Sequence, residues 1–419
     1  MRSKFKIHLR YSMDFTFIFF KWVLCAISMG VICGGIGTAF HFSVHYASDL
    51  LSIYSWLLYL LPVSGLLIGF LYKICKMEND KGTNSILQSI RTSQEAPARL
   101  APLIFIGTTL THLCGGSSGR EGAALQIGGS IGTWFGHFIH LNEKDRHLIT
   151  MCGMSALFSA VFSTPITAAF FCMEVISVGI IHYSAFVPCL ISAIIANHLA
   201  SYLGVEPTTF SVPLQHAFGL PLGGKIIVLA AVCALVSMIF CIIMHKAGEL
   251  YQKCFKNMYL RFFAGGCLLV VLTLLVGTRD YNGTGMELIY KAMNGEARPE
   301  AFLLKMIFTA VTLGAGFKGG EIVPSFCIGA TLGATVGSLL GMDPGLAAAI
   351  GLVSLFCGVI NCPIASILLS IELFGSSNLL LFCIACGVSY MLSGYYGIYS
   401  AQRIMYSKLH PQFINKQTK

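Results

Sequence analysis

Apolar residues in this chain come in long uncharged runs rather than at the three-to-four-residue spacing of a surface helix. The runs are Met29–Val44, Ser52–Leu71, Pro102–Cys114, Leu148–Met173, Val175–Leu203, Ile226–Met244, Phe262–Gly277, Met306–Phe317, Ile322–Met342, Gly345–Ile371 and Asn378–Gln402. A straight helix needs about 20 apolar residues to cross a bilayer, and several of these runs are shorter or longer. The pattern predicts an all-α polytopic membrane protein with tilted and broken intramembrane helices.

The runs also repeat. Residues 153–174 read GMSALFSAVFSTPITAAFFCME and residues 351–372 read GLVSLFCGVINCPIASILLSIE, an offset of 198 (351 − 153) that sets Pro165-Ile166 on Pro363-Ile364 and Glu174 on Glu372. Just upstream the offset is 201 (329 − 128), setting Gly128, Gly132 and Gly136 on Gly329, Gly333 and Gly337. Weak internal repeats in an apolar chain predict two pseudo-symmetric halves with a small-ion site between them. The halves fall at residues 15–203 and 225–407, joined by a Pro-, Gly- and Thr-rich stretch at 204–224, in one membrane domain over 15–407. Glu174 and Glu372 read as helix-packing or capping residues.

Composition agrees. The chain is 55% hydrophobic and 11% charged, with mean hydropathy +0.75, against about 25% charged residues in soluble domains. Residues 1–14 read as a basic cytoplasmic arm before a retained first helix, because Asp14 and Lys21 interrupt any signal-like core. Residues 408–419 read as a short basic tail. No acid occurs over residues 376–419, so the positive-inside rule places both termini in the cytoplasm of a multi-pass cell-membrane protein. These flanks account for the formal charge of +9 without a nucleic-acid partner. Most of the 16 cysteines sit singly in apolar runs, where thiols act as small hydrophobes. No metal site and no cofactor are expected.

Three glycine-marked breaks carry the candidate chemistry: residues 81–86 (KGTNSI), 115–122 (GGSSGREG) and 314–324 (GAGFKGGEIVP). Glycine lets main-chain N–H groups turn toward an ion without Cβ obstruction. A helix starting at such a break adds the positive end of its dipole. Inside a membrane, irregular backbone survives only when buried in protein or lining a wet cavity. Three convergent breaks would bind an anion firmly enough to strip water yet weakly enough to release it. Singly, each glycine could equally mark a kink or a close helix contact.

At these residues the chain resembles the CLC family of chloride channels and proton-coupled halide exchangers. SGREGAALQIGGSIG is similar to that family's signature, GGEIVP to its second filter motif, Gly82-Thr83-Asn84-Ser85-Ile86 to its first, and Gly397-Ile398-Tyr399-Ser400 to its pore tyrosine. Asn84 within the first filter motif and Glu321 within GGEIVP resemble the fluoride-exporting, fluoride/proton antiporter branch. That branch usually carries threonine where this chain has Val323, and chloride exchangers carry a cytoplasmic proton glutamate where it has Val175.

The resemblance implies a CLC-type inverted-repeat architecture, a homodimer with one pathway per subunit, and halide/proton antiport with fluoride export. Gly119, Arg120, Glu121 and Gly122 would form the gate, with Glu121 a movable acid that leaves the path when protonated. Burial disfavours its charged form, while the helix dipole and Arg120 favour it. Arg120 reads as more structural than ion-contacting. Glu321 would be a proton or hydrogen-bond station, Tyr399 would turn its O–H or ring edge to the ion, and Thr83, Asn84, Gly320, Ile322 and Val323 complete the path, with the hydroxyl of Thr83 and the amides of Asn84, Gly320 and Ile322 as donors. A chloride channel or chloride/proton exchanger of the same family is the alternative. An enzyme is not expected: the histidines His41, His112, His137 and His140 are scattered, and neither H-E-x-x-H nor G-x-S-x-G occurs.

Overall fold

Among the described residues, each half of the chain holds eight α-helices in the same order, as the repeat requires. The computed structural model describes residues 2–92, 94–212 and 219–419, with side chains from residue 15 onward. The first half holds α1 (Arg2–Ile53), α2 (Leu61–Ile74), α3 (Thr83–Arg91), α4 (Leu100–Leu113), α5 (Glu121–Phe138), α6 (Glu143–Phe162), α7 (Pro165–Glu174) and α8 (Phe186–Tyr202). The second holds α9 (Leu220–Cys254), α10 (Met258–Val276), α11 (Met286–Met293), α12 (Ala301–Gly314), α13 (Ile322–Leu339), α14 (Pro344–Ile360), α15 (Pro363–Phe374) and α16 (Leu379–Leu392). The arm expected at residues 1–14 continues α1 from Arg2; its side chains lie outside the described residues, as do residues 213–218 of the 204–224 join.

Among the described residues, six helical stretches are long and apolar enough to cross a membrane, and six shorter apolar helices accompany them. The protein is a multi-pass membrane protein. At 1.5 Å per residue, the 35 residues of α9 extend roughly 50 Å, well beyond a bilayer's hydrocarbon thickness.

Two runs read as single spans are each two helices. Leu148–Met173 breaks after Ser163 and Gly345–Ile371 after Asn361. Both break residues are left-handed, with φ of 59° and 57°, and both sit two residues before a proline that opens the next helix. They are repeat mates, 198 positions apart (361 − 163). Proline cannot donate to the preceding turn, so each helix stops at the same place.

Glycines set the closest helix contacts. A Cβ added at Gly132 would lie 2.6 Å from the carbonyl oxygen of Ile149, and one at Gly329 2.5 Å from that of Gly351. Hence α5 lies on α6, and α13 on α14, with backbones touching, the close approach small residues give in membranes. An aromatic cluster joins the halves: Phe171 lies between the repeat mates Phe158 and Phe356, at 5.6 and 6.3 Å, and Phe326 stacks edge-on at 4.8 Å from Phe356.

The short helices α7 and α15 cap each other. Glu372, near the end of α15, accepts from the N–H groups of Ile166 and Thr167 at the start of α7, both at 2.9 Å. Glu174, at the end of α7, accepts from those of Ile364 and Ala365 at the start of α15, at 3.2 and 2.9 Å. Each carboxylate meets the positive end of the other's helix.

A small sheet was not visible in the sequence. Strand β1 (Ser177–Val178) pairs in parallel with β2 (Arg403–Tyr406), which pairs antiparallel with β3 (Phe413–Gln417). Residues 413–417 of the stretch read as a basic tail are thus a paired strand. Removing one cap leaves two helix-start N–H groups unpaired, so Glu372→Ala is expected to destabilise the fold by about 1–2 kcal/mol. Thermal unfolding of the solubilised protein measures this, and Glu174→Ala should match it.

Candidate functional site

The two filter turns meet at a single main-chain crossing. Gly119 N–H donates to the Gly320 carbonyl and Gly320 N–H to the Gly119 carbonyl, both at 2.6 Å, as an isolated antiparallel bridge. These residues are themselves 201 positions apart (320 − 119), so the bridge lies where the halves exchange roles. Only glycines allow it: a Cβ on Gly122 would lie 2.8 Å from the Gly320 Cα. The Gly320 amide, expected to face an anion, is therefore engaged in holding the turns together.

Immediately beyond the bridge, α5 starts at Glu121 and α13 at Ile322. Their first-turn N–H groups, including those of Gly122, Ile322 and Val323, lack intrahelical acceptors and lie in a buried locus. Val323 brings no hydroxyl to it. Glu121 is 1% exposed and folds back over its own helix start, its Oε2 accepting from Arg120 N–H at 3.0 Å. Arg120 Nε stands 3.5 Å from the other carboxylate oxygen. A carboxylate thus already occupies the kind of place an anion would take.

A third helix start, α3, follows Gly82, whose φ of 63° and ψ of −136° suit glycine alone. A cavity of about 290 Å³ opens beside it and runs from Asp80 and Lys318 to Thr83, Asn84, Glu321 and Tyr399. Glu121 does not line this cavity; Glu321 does. The Tyr399 hydroxyl, buried without a hydrogen-bond partner, shares the lining of this cavity with the Glu321 carboxylate. Asn84 Oδ1 accepts from Ala401 N–H at 2.8 Å, tying the first motif to the tyrosine segment. Of the predicted residues, Thr83, Asn84, Glu321 and Tyr399 line the cavity, while Gly119, Arg120, Glu121, Gly122, Gly320, Ile322 and Val323 do not; the two groups come closest where Glu321 Oε2 is 3.3 Å from the position of a Cβ on Gly122. At the Val175 position there is no acid, and its carbonyl accepts from Gln402 Nε2 at 2.9 Å.

Two residues the sequence did not single out belong to this region. Gln126, one turn into α5, donates from Nε2 to Gly122 O at 3.3 Å and Thr83 Oγ1 at 3.2 Å. Gly122 O can only accept, which fixes the amide orientation. Thr83 Oγ1 then accepts, leaving its hydrogen free to donate into the cavity. The signal available was spacing: Gln126 sits four residues after Gly122, on the same helix face. Lys305 is fully buried and donates to Ser117 Oγ, Tyr281 O and Gly283 O at 3.0, 3.2 and 2.8 Å. It pins the loop before α11 to the turn before α5, and buried intramembrane charge of this kind is costly enough to have a role.

With this geometry, residues 64–394 match the family described as voltage-gated chloride channel. The chain belongs to that family. A protein of Pseudomonas syringae pv. tomato named chloride/fluoride channel protein is 37% identical over 403 residues, covering 93% of this chain and 88% of that one. The H(+)/Cl(−) exchange transporter ClcA of Vibrio cholerae is 25% identical over 404 residues, covering 86% and 84%. A crystal structure of a CLC-type fluoride/proton antiporter superposes with TM-score 0.89 at 32% identity, covering 92% of this chain and 98% of that one. A slow cyanobacterial Cl−/H+ antiporter shares the fold at TM-score 0.77 and 19% identity, covering 89% and 94%. The all-α inverted-repeat expectation thus holds, and the protein is a CLC-family membrane transport protein.

If Gln126 orients the Thr83 hydroxyl, Gln126→Leu should lower anion flux through reconstituted protein about tenfold, as loss of a buried hydrogen-bond pair implies. Thr83→Val should do the same, and the double variant should cost less than the product of the two.

Proposed function

We propose that this protein is a fluoride/proton antiporter, exporting fluoride while admitting protons. The observation that carries the reading is that Glu321 and Tyr399 line the same cavity, one glycine crossing away from Glu121. Two acids on one path give a proton two stopping places, and first-turn amides with the Thr83 hydroxyl give the anion its donors. Fluoride's dense charge makes its dehydration expensive, so strong, preorganised donors in a water-poor site favour it. The similarity to proteins named for fluoride supports the same reading.

In the cycle, Glu121 holds the anion position while charged. Protonation removes that charge, the side chain leaves, and fluoride takes its place. The proton then reaches Glu321, which Tyr399 faces. Arg120 keeps the Glu121 carboxylate oriented in the closed state. Expelling one anion while admitting one proton moves two charges favourably across a negative-inside membrane, roughly 4.6 kcal/mol per cycle at 100 mV. The protein works in the cell membrane as a homodimer with one pathway per subunit and both termini in the cytoplasm, as its family and its basic flanks suggest.

Liposomes loaded with fluoride or chloride and held in a pH gradient test the proposal. The wild type is expected to release fluoride in preference to chloride and to take up protons as it does so. Glu121→Gln should abolish proton uptake. Chloride preference would move the protein to the chloride-transporting members, and fluoride release without proton movement would make it a channel.

A further inference from the structure

We propose that the strand at residues 413–417 and the two residues after it are part of the anion pathway's machinery, because they hold Tyr399 in register. The inference rests on the reading of Tyr399 as a pathway residue.

Tyr399 is not on a helix. After α16 ends at Leu392 the chain runs irregularly to β2 at Arg403, with Ile398, Tyr399 and Ala401 buried at 6%, 1% and 4% exposure. Irregular backbone buried in a membrane protein must find partners for each polar group. Ile398 N–H donates to Val359 O at 3.0 Å and Ala401 N–H to Asn84 Oδ1 at 2.8 Å. Tyr399 O also accepts from Gln402 N–H at 2.9 Å, Tyr396 O from Asn361 Nδ2 at 2.9 Å and Ile398 O from His245 Nε2 at 3.1 Å, and two residues after β3 add further bonds. Thr418 Oγ1 donates to Tyr399 O at 2.7 Å, and Thr418 N–H to Gln402 O at 3.2 Å. Lys419 N–H donates to Tyr395 O at 2.9 Å, and Lys419 O accepts from Gly397 N–H at 3.3 Å.

The burial pattern sharpens the point. Strand β3 is largely exposed along its length, whereas Thr418 is only 7% exposed. A strand kept merely for its own packing would bury its apolar residues, yet Phe413 is 56% exposed and Ile414 only half-buried. What the strand delivers inward is a hydroxyl and two peptide groups, all directed at the backbone flanking the tyrosine. Pairing of β3 with β2 fixes that delivery, and β2 in turn is paired with β1, directly after the Val175 position. Thr418 is therefore a positioning residue: it touches no anion but sets where the Tyr399 hydroxyl stands against Glu321.

The test compares fluoride and chloride efflux from liposomes for the wild type, Thr418→Val, Thr418→Ser, a chain ended before Phe413, and Tyr399→Ala. Size-exclusion profiles normalise rates to folded protein. Loss of the Thr418 hydroxyl should slow fluoride about three- to tenfold and lower the fluoride-to-chloride ratio. Thr418→Ser should restore both, and the shortened chain should lose more than Thr418→Val. A purely structural role would reduce folded protein without moving the ratio, and that result overturns the inference. So does an unchanged ratio in Thr418→Val beside a changed one in Tyr399→Ala. If Tyr399→Ala itself changes neither rate nor ratio, the pathway reading of the tyrosine fails, and this inference fails with it.

Discussion

The reciprocal pair of hydrogen bonds between Gly119 and Gly320 is the constraint on which the site depends. It forces two helix starts, one from each half, to meet at their positive ends inside the membrane. Nothing larger than hydrogen at the neighbouring Cα positions would permit the approach. The cost of aiming two helix dipoles at one point is offset by the Glu121 carboxylate that sits there and, on the proposed function, by an anion when that acid leaves. The same bridge sets Glu321 beside Gly122, which brings two acids far apart in sequence to the two sides of one crossing.

The surrounding structure holds this crossing rigid. Backbone-to-backbone glycine contacts lock α5 on α6 and α13 on α14, and the left-handed breaks at Ser163 and Asn361 turn the chain into short helices that cap each other through Glu174 and Glu372. Because these devices recur at repeat-related positions, the halves constrain the site symmetrically. The asymmetry lies in the side chains presented: an acid at the start of α5, and in the second half an acid facing a tyrosine across a cavity. On the proposed function, that difference assigns the gate to one half and the relay to the other.

Much of this was legible in the chain. The glycine offsets of 198 and 201 announced the halves, and the three breaks marked the helix starts that converge. Composition could not show where Leu148–Met173 and Gly345–Ile371 divide, since the break residues Ser163 and Asn361 differ in type and only the following prolines hint at a stop. The sheet was hidden because β1 has two residues and β3 is an exposed strand without apolar alternation. The Gly320 amide read as a free donor because sequence gives no sign of which N–H groups pair across the crossing. Gln126 read as one polar residue in a glycine-rich helix, and its role needs Thr83 and Gly122 in place around it.

The central claim is that the glycine crossing creates the pathway, and a methyl group placed on it is the most direct probe. A Cβ at Gly320 would lie 2.9 Å from the Gly122 Cα, so Gly320→Ala must pry the turns apart. Fluoride efflux from liposomes containing folded Gly320→Ala protein is expected to fall to background, with proton uptake lost alongside it. Wild-type efflux and coupling in that variant would contradict the account.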